Sequence, residues 1–328
     1  MERLPTVTSP AHRTHRAKDS CPIRLRKLKC LRASWRRHRF AVFGCVLVLL
    51  LNGPLCAKPP AELVVTFQNG IVNWSRGYME TRGLKSPDPL TKTQDAAASA
   101  LAQARRHLIQ LAGAIRMDAF HRVRDLGSLN AAIDPGIAHM VNQLPVFGQQ
   151  YLSDGTAQIT LHMSLLGGFS QLVLPAEIKS IKPLQTLAKM PSGKPSARNR
   201  GAPPQSPGCF TGLVVDARGT GLQPALLPRI MDEKGREVYG SAFVSREFAV
   251  QRGISAYFTD FQTAVDCPRV KDRPLVVKAV RASGPGKSNV VIRQADAVRL
   301  LSVAEHLAFL RKCRVAIVVS APKRNQGG

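Results

Sequence analysis

Aromatic residues are scarce in this 328-residue chain, at 5%, and basic residues outnumber acidic ones, 47 Lys and Arg against 21 Asp and Glu. Few aromatics leave little material for the platforms on which single-stranded nucleic acids stack. The formal net charge of +26 therefore points to a basic surface that tolerates anionic lipid or polysaccharide, not to nucleic acid. Long apolar runs are also lacking. The segment Phe40–Leu51 holds twelve apolar or small residues, short of the about 20 that a membrane-spanning helix needs. The seven cysteines include no CxxC pair, which leaves zinc and thioredoxin-type redox chemistry without support. HExxH and GxSxG are absent as well, so zinc-protease and serine-hydrolase chemistry lack their signatures. We assign no metal, cofactor or catalytic residue from the sequence.

What is present begins with an address. Arg36, Arg37, His38 and Arg39 abut the Phe40–Leu51 run, Asn52-Gly-Pro54 breaks it, and Leu55-Cys56-Ala57 precedes Lys58. Cationic flank, apolar run and small-residue site form the pattern of a secretion signal. Cleavage is expected between Ala57 and Lys58. Cys56 stands where a lipidated cysteine would, but Gly-Pro-Leu before it is a poor match for acylation, so soluble export is favoured. Residues 1–57 hold 12 of the 47 basic residues against only Glu2 and Asp19. The first 35 lack a periodic apolar face and are expected to be disordered; a start near Leu31 would leave a signal of ordinary length. Export would place Cys209, Cys267 and Cys313 in an oxidising compartment, where three single pairings are open.

The body reads as an α+β chain in two small units. Glu62–Gln68 is extended, and Gly70–Trp74 and Tyr78–Arg82 flank a Gly-containing turn as a hairpin. Thr91 and Gln94 suggest a capping box. After it, Ala97, Leu101, Ala104, Leu108, Leu111 and Ile115 recur at helical spacing. A second helix is expected over Ile133–Leu144, with Pro135 in its first turn. Gly148–Leu152 and Thr156–Leu166 form a hairpin around Asp154-Gly155. The Pro-, Gly- and Ser-rich stretch 190–208 is a linker.

The second unit starts near Cys209. Leu213–Ala217 is a strand, and Arg229–Met231 meets Val238–Tyr239 across Asp232–Gly235. Ser245 opens a helix through about Tyr257. Leu275–Val280 and Val290–Ile292 are strands. Ala297, Leu300, Leu301, Ala304, Leu307 and Ala308 mark one amphipathic helix, and Cys313 opens the apolar strand Val315–Val319. Strand, helix and buried strand predict a βαβ crossover with parallel strands. The expected organisation is 1–57 as basic extension and signal, 58–185 and 209–320 as two domains, 186–208 as linker and 321–328 as disordered tail.

The stretch 65–170 resembles the N-terminal domain of flagellar assembly protein T and is similar to the Lpp-type, twenty-kilodalton envelope lipoproteins. The residues that carry the resemblance are Gly70-Ile-Val-Asn-Trp-Ser-Arg-Gly77, the Ala-rich helix and the Asp154-Gly155 hairpin ending at Leu166-Gly167. The block from Gly212 to Tyr239 looks like the second half of uncharacterised envelope proteins of that type. The resemblance implies a periplasmic or outer-membrane-associated module that supports assembly of a larger structure, and it brings no catalytic residues.

Among motifs, Gly284-Pro-Gly-Lys-Ser288 invites a phosphate-loop reading, but GxxxxGK[ST] needs glycine at 281, where Arg281 stands, and a strand rather than a helix should follow. Asp216 ends its strand with no histidine nearby to complete a zinc site. Asp216, Arg218, Asp232 and Arg236 could line a polar cleft; structural ion pairing is an equal alternative. Trp74 is expected in the core. The expectation is an exported envelope protein, periplasmic or outer-membrane-associated, with a non-enzymatic assembly or accessory role. Its partner would be an envelope protein, the cell wall or an anionic lipid surface. A ligand- or glycan-binding module is the alternative, and a hydrolase the third.

Overall fold

The computed structural model describes residues 62–87, 93–176 and 209–321, all within one compact unit, Pro59–Gly328. Residues 1–57 with the signal, the Ala57–Lys58 cleavage site, Thr91 of the capping box, the 190–208 linker and the tail beyond 321 lie outside the described residues. The described chain is mixed α and β, 33% helical and 28% strand. Among the described residues no helix is long and apolar enough to cross a membrane.

The first half is a five-stranded antiparallel sheet. β1 (Val64–Phe67), β2 (Gly70–Asn73) and β3 (Tyr78–Lys85) form a meander; β4 (Gly148–Tyr151) and β5 (Ala157–Ser164) form the second hairpin. β5 pairs with β3, so the order is β1-β2-β3-β5-β4. Period-2 alternation puts Met79, Thr81 and Gly83 of β3 and Ala157, Ile159, Leu161 and Met163 of β5 on one buried face. Helix α1 (Thr93–Ala114) covers that face.

The helix stripe is rotated from expectation at its N-terminal end. Ala96 and Ala100 are buried while Ala97 and Leu101 are half-buried; from Ala104 through Leu108, Leu111 and Ile115 the expected face holds. Close approach is the reason. A Cβ on Gly83 would collide with the backbone of Ala100 and Ala104, and the Thr81 hydroxyl donates to Ala104 O at 3.1 Å. Only alanine fits against strand backbone at that distance. Helix α2 (Ile133–Gln143) buries Ile133, Ile137 and Val141. A short helix, α3 (Gly168–Val173), follows Gly167, whose φ of 67° turns the chain out of β5.

The second half is a seven-stranded sheet, ordered β8-β7-β11-β10-β6-β12-β9. Its members are β6 (Gly212–Asp216), β7 (Ile230–Met231), β8 (Glu237–Tyr239), β9 (Ala256–Phe258), β10 (Pro274–Ser283), β11 (Asn289–Ile292) and β12 (Val315–Val318). β10, β6, β12 and β9 run parallel. The helices are α4 (Arg246–Arg252), α5 (Phe261–Val265), α6 (Gln294–Leu301) and α7 (Ala304–Arg311).

Three details correct the sequence expectations. The helix from Ser245 stops at Arg252, because Gly253 adopts φ 73°; Ala256–Phe258 is then free to add a strand to β12. The parallel crossover is β9–α5–β10. Val290–Ile292 and Val315–Val318 run in opposite senses, because β11 folds back on β10 as a hairpin. The single helix expected over Ala297–Ala308 is two. Val303 is extended, at φ −125° and ψ 126°, which rephases the second helix so that His306, Phe309 and Leu310 are buried while Ala304 and Ala308 are exposed.

The parallel strands are covered on both faces, as parallel sheets require. Leu213, Val215 and Ile317 join the main core with Leu300, Phe309 and Leu310. Val214, Ala316 and Val318 pack with Ala264 of α5, beside Phe261 and Val265. The main core is continuous through both sheets. Trp74 stands edge-on to Tyr257 with ring centroids 5.7 Å apart, and the neighbouring Ser75 hydroxyl donates to Tyr257 O at 2.9 Å. Gly167 N–H donates to Val250 O, and Leu226 N–H to Arg116 O. Arg246 reaches back to Gln171 and Pro175.

Candidate functional site

Asp216 ends β6 on the face shared with Val214, since alternate residues share a face. Arg218 folds back two residues later and grips it in a two-point bond, Nε to Oδ1 at 2.8 Å and Nη2 to Oδ2 at 2.7 Å. The guanidinium also lies over the Phe261 ring of α5, 5.4 Å from its centroid. The Arg218 hydrogen bond outweighs burial and holds the Asp216 carboxyl below its ordinary range, with Lys278, its register neighbour on β10, adding to the effect. Asp260 caps α5, accepting from Thr263 N at 2.7 Å and Thr263 Oγ1 at 2.8 Å. These bonds lower its pKa.

Asp232 opens the β7–β8 turn and is buried. Its Oδ1 accepts from Lys234 N and Arg236 N, both at 2.9 Å, and its Oδ2 from Arg236 Nε at 2.8 Å. With its amide turned to match, Gln294 at the start of α6 donates to Asp232 Oδ2 at 3.0 Å and accepts from Arg236 Nη2 at 2.6 Å. Burial acts to raise the Asp232 pKa, but the hydrogen bonds and the Arg236 charge together bring it below the ordinary value.

The structure thus joins Asp216 to Arg218 and Asp232 to Arg236. β11 and β10 stand between the two pairs in the sheet, a separation of about 14 Å at ordinary strand spacing. Each carboxylate has both oxygens held by charge-assisted bonds to its own neighbouring arginine, which suits a structural role.

Other sequence features take definite places. Gly284–Ser288 is the β10–β11 turn, with Gly284 and Lys287 at positive φ and Lys287 N–H donating to Gly284 O at 2.9 Å; a strand follows Ser288. His306 is buried between two polar contacts. Its Nδ1 lies 2.9 Å from Leu300 O, and its Nε2 accepts from Phe210 N–H at 3.3 Å. A carbonyl on one nitrogen and a donor on the other fix the neutral Nδ1–H tautomer. His162 lies between the Tyr78 and Phe147 rings. Among the described residues no three His, Cys, Asp or Glu converge as a metal site. Cys209, Cys267 and Cys313 are unpaired.

Sequence reasoning passed over the exposed apolar residues. Phe147 and Tyr151 on and beside the edge strand β4 are 66% and 49% exposed, with Val146 and Leu152 also open; Phe120, in the loop after α1, is 64% exposed. The available signal for β4 was the absence of any charged residue from Gln143 to Ser153.

The comparisons with known proteins overturn the expected resemblance at 65–170. Neither flagellar assembly protein T nor the Lpp-type lipoproteins match any part of the chain. A meander, a helix and a hairpin in that order are common to many α+β sheets, so the pattern at 65–170 carried no family-specific information. No curated protein matches the chain. Residues 212–321, the extent of the seven-stranded sheet, match the family model described as Treponema pallidum Tp0624, second domain.

Proposed function

We propose that this chain is an exported accessory protein of a bacterial envelope structure, acting by docking a partner protein and not by catalysis. The observation that carries the proposal is the open edge at β4. Leu152 N–H bonds to Thr156 O of the β5 side, and antiparallel alternation then turns the main-chain N–H and C=O of Gln149 and Tyr151 outward. Edge strands are normally guarded by lysine, proline or a covering element. This one is short but uncharged and flanked by exposed Val146, Phe147 and Leu152, the features of a strand that accepts another. The occupant we favour is an extended, uncharged segment of an envelope protein. The Arg36–Arg39 and Phe40–Leu51 pattern supports export, with a mature start near Lys58. Ligand binding or hydrolysis at Asp216–Arg218 has less support, because both oxygens of Asp216 are already held.

A photo-crosslinkable residue at Tyr151 should capture one envelope partner in intact cells, and Gln149→Lys should abolish that adduct while leaving the chain folded. Unchanged capture with Gln149→Lys, or no adduct from the edge, would remove the proposal.

A further inference from the structure

The loop that leaves α1 folds back as a small hairpin whose base is made of like charges. Arg116 and Arg122 face each other across a β-bridge, an arrangement that is unfavourable when both are cationic. Arg122 has a structural task, since its Nη1 donates to Ala114 O at the end of α1 at 3.0 Å. Arg116 has no acidic partner among the described residues. Burial, and then the Arg122 charge, lower its pKa. Two acids lie nearby: Asp118 accepts from Phe120 N, His121 N and His121 Nδ1 within the loop itself, and Asp125 accepts from Arg122 N at 2.7 Å and stands 3.9 Å from Arg124 Nε at an exposed position.

The tip is held firmly. Ala119 is buried against the β10–β11 turn, Gly286 N–H donates to Ala119 O at 2.8 Å, and a Cβ on Gly284 would overlap Ala119. That turn brings exposed Lys287 beside the tip, and Arg124 is exposed two residues beyond Arg122. Phe120 therefore projects, 64% exposed, from a fixed tip with four cations around it against two acids. An acidic protein would need a pocket to receive a lone exposed aromatic, whereas a bilayer interface receives one anywhere on its surface.

We propose that this tip docks onto an anionic lipid bilayer, with Phe120 entering the interfacial layer, exposed Arg124 and Lys287 meeting lipid phosphates, and half-buried Arg116 and Arg122 adding positive charge behind them. The inference is independent of the β4 proposal, which concerns a different edge and a protein partner.

The test uses the full chain carrying Trp35→Phe and Phe120→Trp, with buried Trp74 as a constant background. Vesicles of phosphatidylcholine with phosphatidylglycerol should shift the emission of the introduced tryptophan to the blue, and lipids brominated near the headgroup end of the acyl chains should quench it. Pure phosphatidylcholine should do neither. Lys287→Gln and Arg124→Gln, both at exposed positions, should each weaken vesicle affinity about fivefold, and salt should weaken it further. The proposal is overturned if the chain pellets with anionic vesicles while the emission of the introduced tryptophan stays unchanged, which would put the contact elsewhere. It is equally overturned by a shift of the same size on neutral vesicles, by no binding, or by a response to inorganic phosphate alone without one to vesicles.

Discussion

The Arg269 side chain donates from Nε to the carbonyl of Cys313 at 2.7 Å, tying the loop after α5 to the residue just ahead of β12. Its Nη1 reaches Arg252 O at 2.6 Å and its Nη2 reaches Gly253 O. A half-buried guanidinium thus closes the C-terminal end of α4 with main-chain acceptors alone. Five fixed donors suit this; an ammonium does not. Arg269→Ala should lower the unfolding free energy by about 2 kcal/mol, because it removes three charge-assisted bonds and leaves the buried Cys313 carbonyl without its partner. Arg269→Lys should recover less than half of that. Urea melts of the two variants and the parent chain test both; losses within about 0.5 kcal/mol would mean that solvent replaces the guanidinium.

Cys313 should be inert in the folded chain. Burial pushes its thiol up to about 11, and the thiolate is the reactive form. Cys209 is exposed. Brief iodoacetamide treatment at neutral pH, followed by peptide mapping, should label Cys209 in the native protein and Cys313 only after denaturation. Labelling of Cys313 at native rates comparable to Cys209 would show that the α7–β12 junction opens.

Local periodicity made most of these elements legible. The α1 stripe, the Asp154-Gly155 hairpin and the β7–β8 hairpin follow from spacing within a dozen residues. So do the two ion pairs, whose members are two and four residues apart. The features that stayed hidden depend on distant packing. Three residues of β9 are a strand because β12 offers an edge, and nothing within Ala256–Phe258 sets them apart from a helix end except Gly253. The break at Ser302–Val303 preserves an amphipathic pattern on either side, so it leaves the count of apolar residues unchanged. Phe120 and Phe147 are ordinary core-forming residues by type. Their exposure is a property of what the rest of the chain fails to cover.

Stability should fall at both ends of the pH scale for identifiable reasons. Asp232 and Asp216 have pKa values below their ordinary range in the fold. Their contribution is present above the unfolded carboxylate value of about 3.9 and is lost as pH falls through the lower folded values. At the alkaline end, burial raises Tyr239 and lifts Tyr257 to about 12. The folded state then holds protons that the unfolded chain gives up near pH 10, so stability declines from about pH 10 to 12. Thermal midpoints measured across pH 2–12 should show both declines. Tyr257→Phe should flatten the alkaline one while lowering the neutral-pH plateau, since the Tyr257 hydroxyl serves both Ala225 N and Ala225 O. An unchanged alkaline slope in that variant would assign the decline to Tyr239 or to cysteine ionisation.

The rephased C-terminal helix makes the sharpest mutational contrast. On one uninterrupted helix, Leu307 would share the stripe of Ala297, Leu300 and Ala304 and would lie deepest against the sheet. The extended Val303 rotates α7 instead, so Leu310 is fully buried in the main core with Val315 and Ile317, and Leu307 only borders it. Leu310→Ala should leave a cavity and cost about 2–5 kcal/mol. Leu307→Ala should cost clearly less, about 1 kcal/mol, because a half-buried side chain loses less contact and its site stays open to solvent. Ala308→Lys, on the exposed face, should fall within about 0.5 kcal/mol of the parent. Urea melts of the full chain rank the three. A Leu307→Ala loss equal to that of Leu310→Ala, together with a large loss from Ala308→Lys, would mean that the helix runs unbroken through Ser302 and Val303.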